Sequence, residues 1–340
     1  MKVLILIPTI YSLAGTLKKG FNDLGYEVVL YDYRIEISNL NKNINTQTFR
    51  FPFSVRSKWN KYFMDKINKV HIEKYNNVEP DIVMIYNNEM LLPETVEYFS
   101  KKSKILFFLG DNPFYTPTND YFLDLLFRAD LIVSPDSFWT EQVKLMGMKN
   151  CISEYFNTYH YQYELKKIES EQHDLLFIGM SYVNSWGYKR ALFLSHFAEF
   201  DIKIHGNSAW HRWLEFFPEL KPKFILKGNY SDEYMAQLHY NAKIYPFDSN
   251  PGMLNGIHLR LFDCIEYGIL PIPEYRKDIS RVFKNEKLPI VNDYTEANKV
   301  VSYYLKNDTE RIELVKSLQN FVRKNYNPDV TLTRILDHLK

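Results

Sequence analysis

The sequence predicts an α/β protein of two domains, each a parallel sheet with helices on both faces. Short runs of Val, Ile, Leu and Phe with little internal polarity alternate with helix-length segments along the chain. The alternation pauses once, over the polar stretch 161–174, and then restarts. At 340 residues the chain also exceeds what one hydrophobic core ordinarily supports.

The elements can be justified in order. Val3–Ile7 is a five-residue apolar run closed by Pro8. That is short of the roughly seven to fifteen residues a signal peptide needs, so it reads as a first buried strand. Leu13–Leu24 has helical period and Glu27–Tyr31 follows as a second strand. Strands Ile82–Tyr86, Ile105–Leu109 and Leu131–Ser134 then alternate with helices Pro93–Ser100, Tyr121–Phe127 and Phe138–Leu145. After the linker 161–174, strand Leu175–Gly179 opens the second domain. Helix Tyr188–Phe200, strand Ile202–His205, helix Trp210–Phe217 and strand Lys223–Lys227 follow. Ser231 is the expected N-cap of the next helix, because its hydroxyl can accept from an amide the first turn leaves unpaired. Strand Lys243–Phe247, helix Gly256–Tyr267 and strand Ile269–Ile272 complete the pattern, with helices from Glu296 onward. The expected domains are therefore 1–160 and 175–325, with 326–340 a C-terminal helix packing back on the first.

Composition and spacing exclude several chemistries. With 42 basic against 41 acidic residues, no general attraction for nucleic acid is expected. Cys151 and Cys264 match no zinc or redox spacing and suit a reducing, cytoplasmic setting. No run approaches the ~18 apolar residues of a membrane span. Gly-x-Gly occurs nowhere, which removes the dinucleotide fingerprint and the P-loop. There is no Gly-x-Ser-x-Gly elbow, no His-Glu-x-x-His, no Asp-x-Asp and no histidine cluster with cysteine or carboxylates. Neither a metal nor a cofactor is expected.

What remains is one constellation in the second domain. Strand Lys243–Phe247 runs into the polar loop 248–255, after which Gly256 is expected to open a helix carrying His258, Arg260 and Asp263. Ligands of open α/β sheets sit beyond the carboxyl ends of the strands. Free amides from Gly256 to Leu259 and the Arg260 guanidinium would suit a diphosphate, and Asp263 could accept from a ribose diol. An Asp and an Arg three apart on a helix also read as a surface ion pair, and His258 as an ordinary packed histidine.

The stretch from Asn255 to Ile272 (NGIHLRLFDCIEYGILPI) resembles the C-terminal domain of group 1 glycosyltransferases of the GT-B fold, most closely the branch of the CgeB-type spore maturation proteins. Val282-Phe283, the 293–296 turn, Arg311 and the 321–326 segment continue the resemblance, and Asp111-Asn112-Pro113 with 129–136 extend it loosely upstream. It implies two Rossmann-like βαβ domains facing across a cleft. It further implies a hexosyltransferase-type enzyme that takes a nucleoside-diphosphate sugar and acts on a glycan, lipid-linked or protein hydroxyl without metal. On the matching positions, Gly256, His258 and Arg260 would hold the diphosphate and Asp263 the ribose, where the family usually has Glu. Asn255 stands where the family has a second acid. Gly179 would face the donor, and the turns carrying Asn207 and Gly228-Asn229-Tyr230 would hold the base. Asp111 would serve either as the general base of an inverting reaction or as an acceptor-positioning group; on its own sequence it reads equally as a turn cap. The departures at Asn255 and Asp263 keep two other readings open, a non-catalytic nucleotide-sugar-binding or partner module and a nucleotide-sugar epimerase.

Segment 34–76 matches nothing in that resemblance. It holds nine basic against three acidic residues, with Trp59, Phe63, Ile67 and Val70 at helical spacing. Such a helix packs its apolar stripe on the sheet and solvates its charges, or rests peripherally on the inner face of an anionic membrane.

Overall fold

The computed structural model describes residues 1–9, 12–87, 90–117, 120–157, 165–166, 168, 172–228 and 230–340. The chain divides into two compact units, Met1–Tyr155 with Pro328–Lys340, and Phe156–Asn327.

Unit 1 is built on six strands: β1 (Lys2–Leu6), β2 (Glu27–Tyr31), β3 (Ile82–Tyr86), β4 (Lys104–Phe108), β5 (Leu131–Ser134) and β6 (Cys151–Ser153). All pair in parallel, in the order β2-β1-β3-β4-β5-β6. Val3–Leu6 and Ile82–Ile85 are buried at successive positions, as strands covered on both faces must be. The helices are α1 (Ser12–Asp23), α2 (Asn39–Gln47), α3 (Phe53–Val78), α4 (Pro93–Ser100), α5 (Phe122–Leu126) and α6 (Ser137–Leu145). Asp136 caps α6 by accepting from the amides of Phe138 and Trp139. Helix α3 starts after Pro52 and stops at Glu79, which turns left-handed (φ 48°) ahead of Pro80.

The chain's last helix, Pro328–Leu339, belongs to this unit and lies against α1. Gly20 makes that approach possible, since a Cβ there would sit 2.8 Å from Leu332 Cδ1 and 2.9 Å from Pro328 Cβ. Thr331 Oγ1 donates to the Tyr155 carbonyl (3.0 Å), and Arg334 forms a two-pronged pair with Glu154 (2.7 and 3.0 Å).

Unit 2 has five parallel strands: β7 (His173–Ile178), β8 (Ile202–Gly206), β9 (Phe224–Leu226), β10 (Ala242–Phe247) and β11 (Leu270–Pro273), ordered β11-β10-β7-β8-β9. Its helices are α7 (Ser185–Ser195), α8 (His211–Leu214), α9 (Asp232–Tyr240), α10 (Arg260–Glu266), α11 (Lys277–Val282), α12 (Ala297–Lys306) and α13 (Asp308–Tyr326), and the last helix of the chain is α14. Ser231 caps α9 by accepting from the Tyr234 amide (3.1 Å). The core is rich in large rings, with Phe177, Phe193, Trp210, Tyr245, Phe247 and Phe262 all under 2% exposed.

Several expectations are corrected. Strand β6 is too short, at three residues, to show a period in the sequence. The segment Trp210–Phe217 is a 3₁₀ turn and a four-residue helix. Strand β7 begins at His173, inside the stretch read as linker, of which 161–164, 167 and 169–171 lie outside the described residues. The largest correction concerns the candidate site: the helix expected from Gly256 begins at Arg260. Residues 256–258 instead belong to no helix or strand, with Gly256 and Ile257 buried.

Candidate functional site

In each sheet the strand order reverses direction at one place, and the carboxyl ends flanking that point form the ligand crevice of an open α/β sheet. In unit 2 it lies between β10 and β7, where β7 runs into Gly179 and β10 into Asp248.

Gly179 donates to the His205 carbonyl (2.9 Å) and accepts from Trp210 Nε1 (2.9 Å). A Cβ on it would lie 2.8 Å from the Phe177 ring and 3.4 Å from Arg260 Nη1, so the Arg260 guanidinium packs directly against the glycine backbone. The structure thereby unites two expected residues 81 positions apart in the chain. Beneath them, the buried Tyr245 hydroxyl donates to the Ile178 carbonyl (2.9 Å) and accepts from its amide (3.0 Å). Burial pushes the pKa of Tyr245 up to about 12, so it stays a neutral hydroxyl. Burial works against the charge on Arg260, but Tyr245, Cys264 and Asp263 outweigh it and the pKa is raised. Arg260 forms no ion pair among the described residues.

Its position as the first residue of α10 has a local cause. His258 Nδ1 accepts from the Arg260 amide (3.1 Å), satisfying a donor that the first turn of the helix leaves without an intrahelical partner. With Nδ1 accepting, the proton of the neutral imidazole sits on Nε2. Burial, then Arg260, drive the pKa of His258 down to about 3, so the ring is an uncharged donor at neutral pH. The amides of Ile257, His258 and Leu259 make no hydrogen bond among the described residues. Asp263 lies within electrostatic reach of both His258 and Arg260. The carbonyl of the half-buried Asn255 accepts from the Asp278 amide (3.0 Å), which fixes the loop leading into Gly256.

One cation here escaped the sequence reading. Lys227, the residue after β9, feels the charge of Arg260, and burial first and then Arg260 lower its pKa. It lies 5.7 Å from the Tyr230 ring centroid, while the Tyr230 hydroxyl pairs with His205 Nδ1 (3.0 Å). The available signal was a lysine at the end of the strand read as Lys223–Lys227, but its distance from Arg260 in the chain hid their proximity. Asn229 lies outside the described residues. Asn207, expected at the base, clasps the loop after Gly179: Oδ1 accepts from the Ser181 amide (2.8 Å) and Nδ2 donates to its carbonyl (3.3 Å). Arg190 also ties loops together, donating to Asp248 Oδ2 (2.6 Å) and to the Met180 carbonyl.

In unit 1 the Asp111 carboxylate sits beyond β4 and accepts from Asn87 Nδ2 (2.8 Å). Asn87 Oδ1 in turn accepts from the Gly110 amide (2.8 Å), and Asn87 is itself left-handed (φ 40°), a conformation Asn tolerates better than most residues. Gly110 leaves room for the Tyr86 ring, since a Cβ there would fall 2.1 Å from the Tyr86 hydroxyl and the ring would have to move. The turn is closed by Asn112, whose Oδ1 accepts from the Phe114 amide (2.9 Å). Among the described residues, no group of three or more His, Cys, Asp or Glu could hold a metal ion, and no helix is long and apolar enough to cross a membrane.

Residues 189–337 match the model of a family described as glycosyl transferase-like. No curated protein matches the sequence. Among solved structures, the chain resembles an α,α-trehalose-phosphate synthase (UDP-forming) from Burkholderia vietnamiensis, with 11% identity, TM-score 0.65, and 99% and 97% of the two chains covered. The Anabaena HepE protein in complex with UDP-glucose aligns with 11% identity and TM-score 0.64 over 100% of this chain and 99% of that one. A Listeria monocytogenes structure described as a UDP-N-acetylglucosamine 2-epimerase aligns with 13% identity and TM-score 0.59, covering 98% and 94%. The chain therefore has the GT-B fold of two parallel-sheet α/β domains, and over residues 189–337 it is similar to the glycosyl transferase-like family.

Proposed function

We propose that the protein is a glycosyltransferase of the CgeB-type branch, moving a hexose-type sugar from a nucleoside-diphosphate sugar to the hydroxyl of a glycan, lipid-linked glycan or protein in the cytoplasm. The observation that carries this reading is Arg260, a guanidinium without an ion-pair partner among the described residues, set against Gly179 at the end of the central strand. When the C1–oxygen bond to the diphosphate breaks, negative charge collects on the β-phosphate. Arg260, Lys227 and the amides of Ile257 to Leu259 offer two cations and three donors for it, a metal-free way to stabilise a leaving diphosphate. Neutral His258 adds an Nε2 donor without contributing charge. Asp263 would accept from the ribose diol. In an inverting course, Asp111 takes the proton of the acceptor hydroxyl as its oxygen bonds to C1, with Asn87 holding the carboxylate in place.

Two features support the reading from outside the site: the family match spans α10 and its surroundings, and similar structures carry UDP-glucose or are named as UDP-forming. The Listeria structure favours a second reading, a nucleotide-sugar epimerase on the same fold. Thermal shifts with UDP, GDP, dTDP, CMP and their sugar conjugates, without added metal, test the donor site. Nucleotide at about 100 times its dissociation constant stabilises the native state by roughly 2.7 kcal/mol. A shift with one diphosphate class identifies the base, and product analysis then separates transferred sugar from isomerised donor. No shift with any nucleotide would defeat both readings.

A further inference from the structure

The segment between β2 and β3 has no part in the site described above, yet its surface is unusually uniform. From Ile37 to Met64 the sequence contains five basic residues and no acid. The buried face of α3 begins at Phe63, its eleventh residue, where Phe63 and Ile67 pack with Ile37, Tyr33 and the half-buried Trp59. The helix's first turns, and the residues leading into them, stand clear of that core. Phe53 is 75% exposed, Val55 51% and Phe51 43%, three apolar side chains largely open to solvent. Arg56, Lys58 and Lys61 lie beside them and form no ion pair among the described residues; Arg56 stands 5.8 Å over the Phe53 ring.

Exposed rings and unneutralised cations compete in water, because the rings gain by leaving it and the cations by staying. An anionic bilayer surface satisfies both at once. Apolar tips enter the acyl boundary while ammonium and guanidinium groups remain among the headgroups. A duplex nucleic acid, its bases stacked inside, would use the cations but leave Phe53 and Val55 in water. We infer that residues 51–61 form a peripheral docking surface for a membrane rich in anionic phospholipid.

Co-sedimentation of the full chain with vesicles tests this, without nucleotide present, so the outcome is independent of the donor-site reading. Vesicles of equal phosphatidylcholine and phosphatidylglycerol should bind the protein; phosphatidylcholine alone should not. Raising the salt should weaken the association, since exposed charges are screened. Each basic residue near an anionic surface contributes about fivefold in partitioning, so the triple variant Arg56→Gln/Lys58→Gln/Lys61→Gln should bind roughly 100-fold less. Phe53→Ser with Val55→Ser should lose at least about tenfold. All of these positions are exposed or half-buried, and circular dichroism on each variant checks that the fold is kept. Equal binding to both vesicle types, or binding unchanged in both variants, overturns the inference. So does heparin or duplex DNA capture as strong as vesicle capture together with an inert Phe53/Val55 variant, which would mark a general polyanion patch.

Discussion

The two sheets end in different balances of charge. Beyond the strands of unit 1, the carboxyl edge presents acid: Asp111 held by Asn87, and Asp32 accepting from Thr9 and paired with Arg34. Beyond the strands of unit 2, the acids Asp248 and Glu274 are paired with Arg190 and with Lys189 and Arg276, and the edge adds Arg260, Lys227, a neutral His258 and the amides of 257–259, which make no hydrogen bond among the described residues. Under the proposed function, the same parallel βα architecture would supply a proton acceptor in one unit and a diphosphate site in the other. The scaffold fixes where a site forms, and the few residues just past each strand decide its charge.

That contrast can be broken most sharply at Asp111. Asp111→Asn should lower transfer by about 10²- to 10⁴-fold, the range of a general base, while nucleotide affinity by calorimetry stays at the wild-type value. Undiminished transfer would leave Asp111 a structural carboxylate. On the cationic side, Arg260→Ala should weaken UDP binding by about 100-fold and uridine binding hardly at all. Equal losses for both ligands would take Arg260 away from the phosphates.

Acid stability sharpens the comparison from another direction. His71 in unit 1 and His205 in unit 2 are buried, and burial lowers the pKa of each to about 4. A histidine held neutral binds fewer protons folded than unfolded, so its contribution to stability is present above the unfolded pKa near 6.5 and falls as pH drops toward the folded value. For His71 the loss between neutral pH and pH 5 should be about 2 kcal/mol. In His71→Leu, denaturant titrations should show a correspondingly flatter pH dependence, and an unchanged slope would mean the ring is charged in the folded state. The smallest expected effect belongs to Asp263→Ala, about tenfold on UDP and uridine alike, because a ribose contact is common to both. A loss confined to UDP would move Asp263 from the ribose to the electrostatics of Arg260.

Much of this was legible in the sequence, for identifiable reasons. Glu27–Tyr31, Ile82–Tyr86 and Leu131–Ser134 appear in the structure at their expected limits, since apolar runs bounded by polar turns are a local signal. The Ser231 cap was legible because capping depends on residues three apart. The start of α10 was not. Gly256 and Ile257 are buried outside any helix, and the chain turns helical only after His258, whose ring accepts from the Arg260 amide. Asn87 gave no signal, because its role rests on Gly110 and Asp111 more than twenty residues away.

By itself the sequence determined the strands, most helices, the two parallel sheets and the residue types available at their carboxyl ends. Those follow from periodicity and from caps, interactions among near neighbours in the chain. Tertiary structure alone decided that Arg260 would lie against Gly179, that Lys227 would join it, and that the helix 328–339 would seat on Gly20. Each of these depends on which faces are brought into contact and on how closely two backbones can approach, and neither quantity is encoded in any single stretch of sequence.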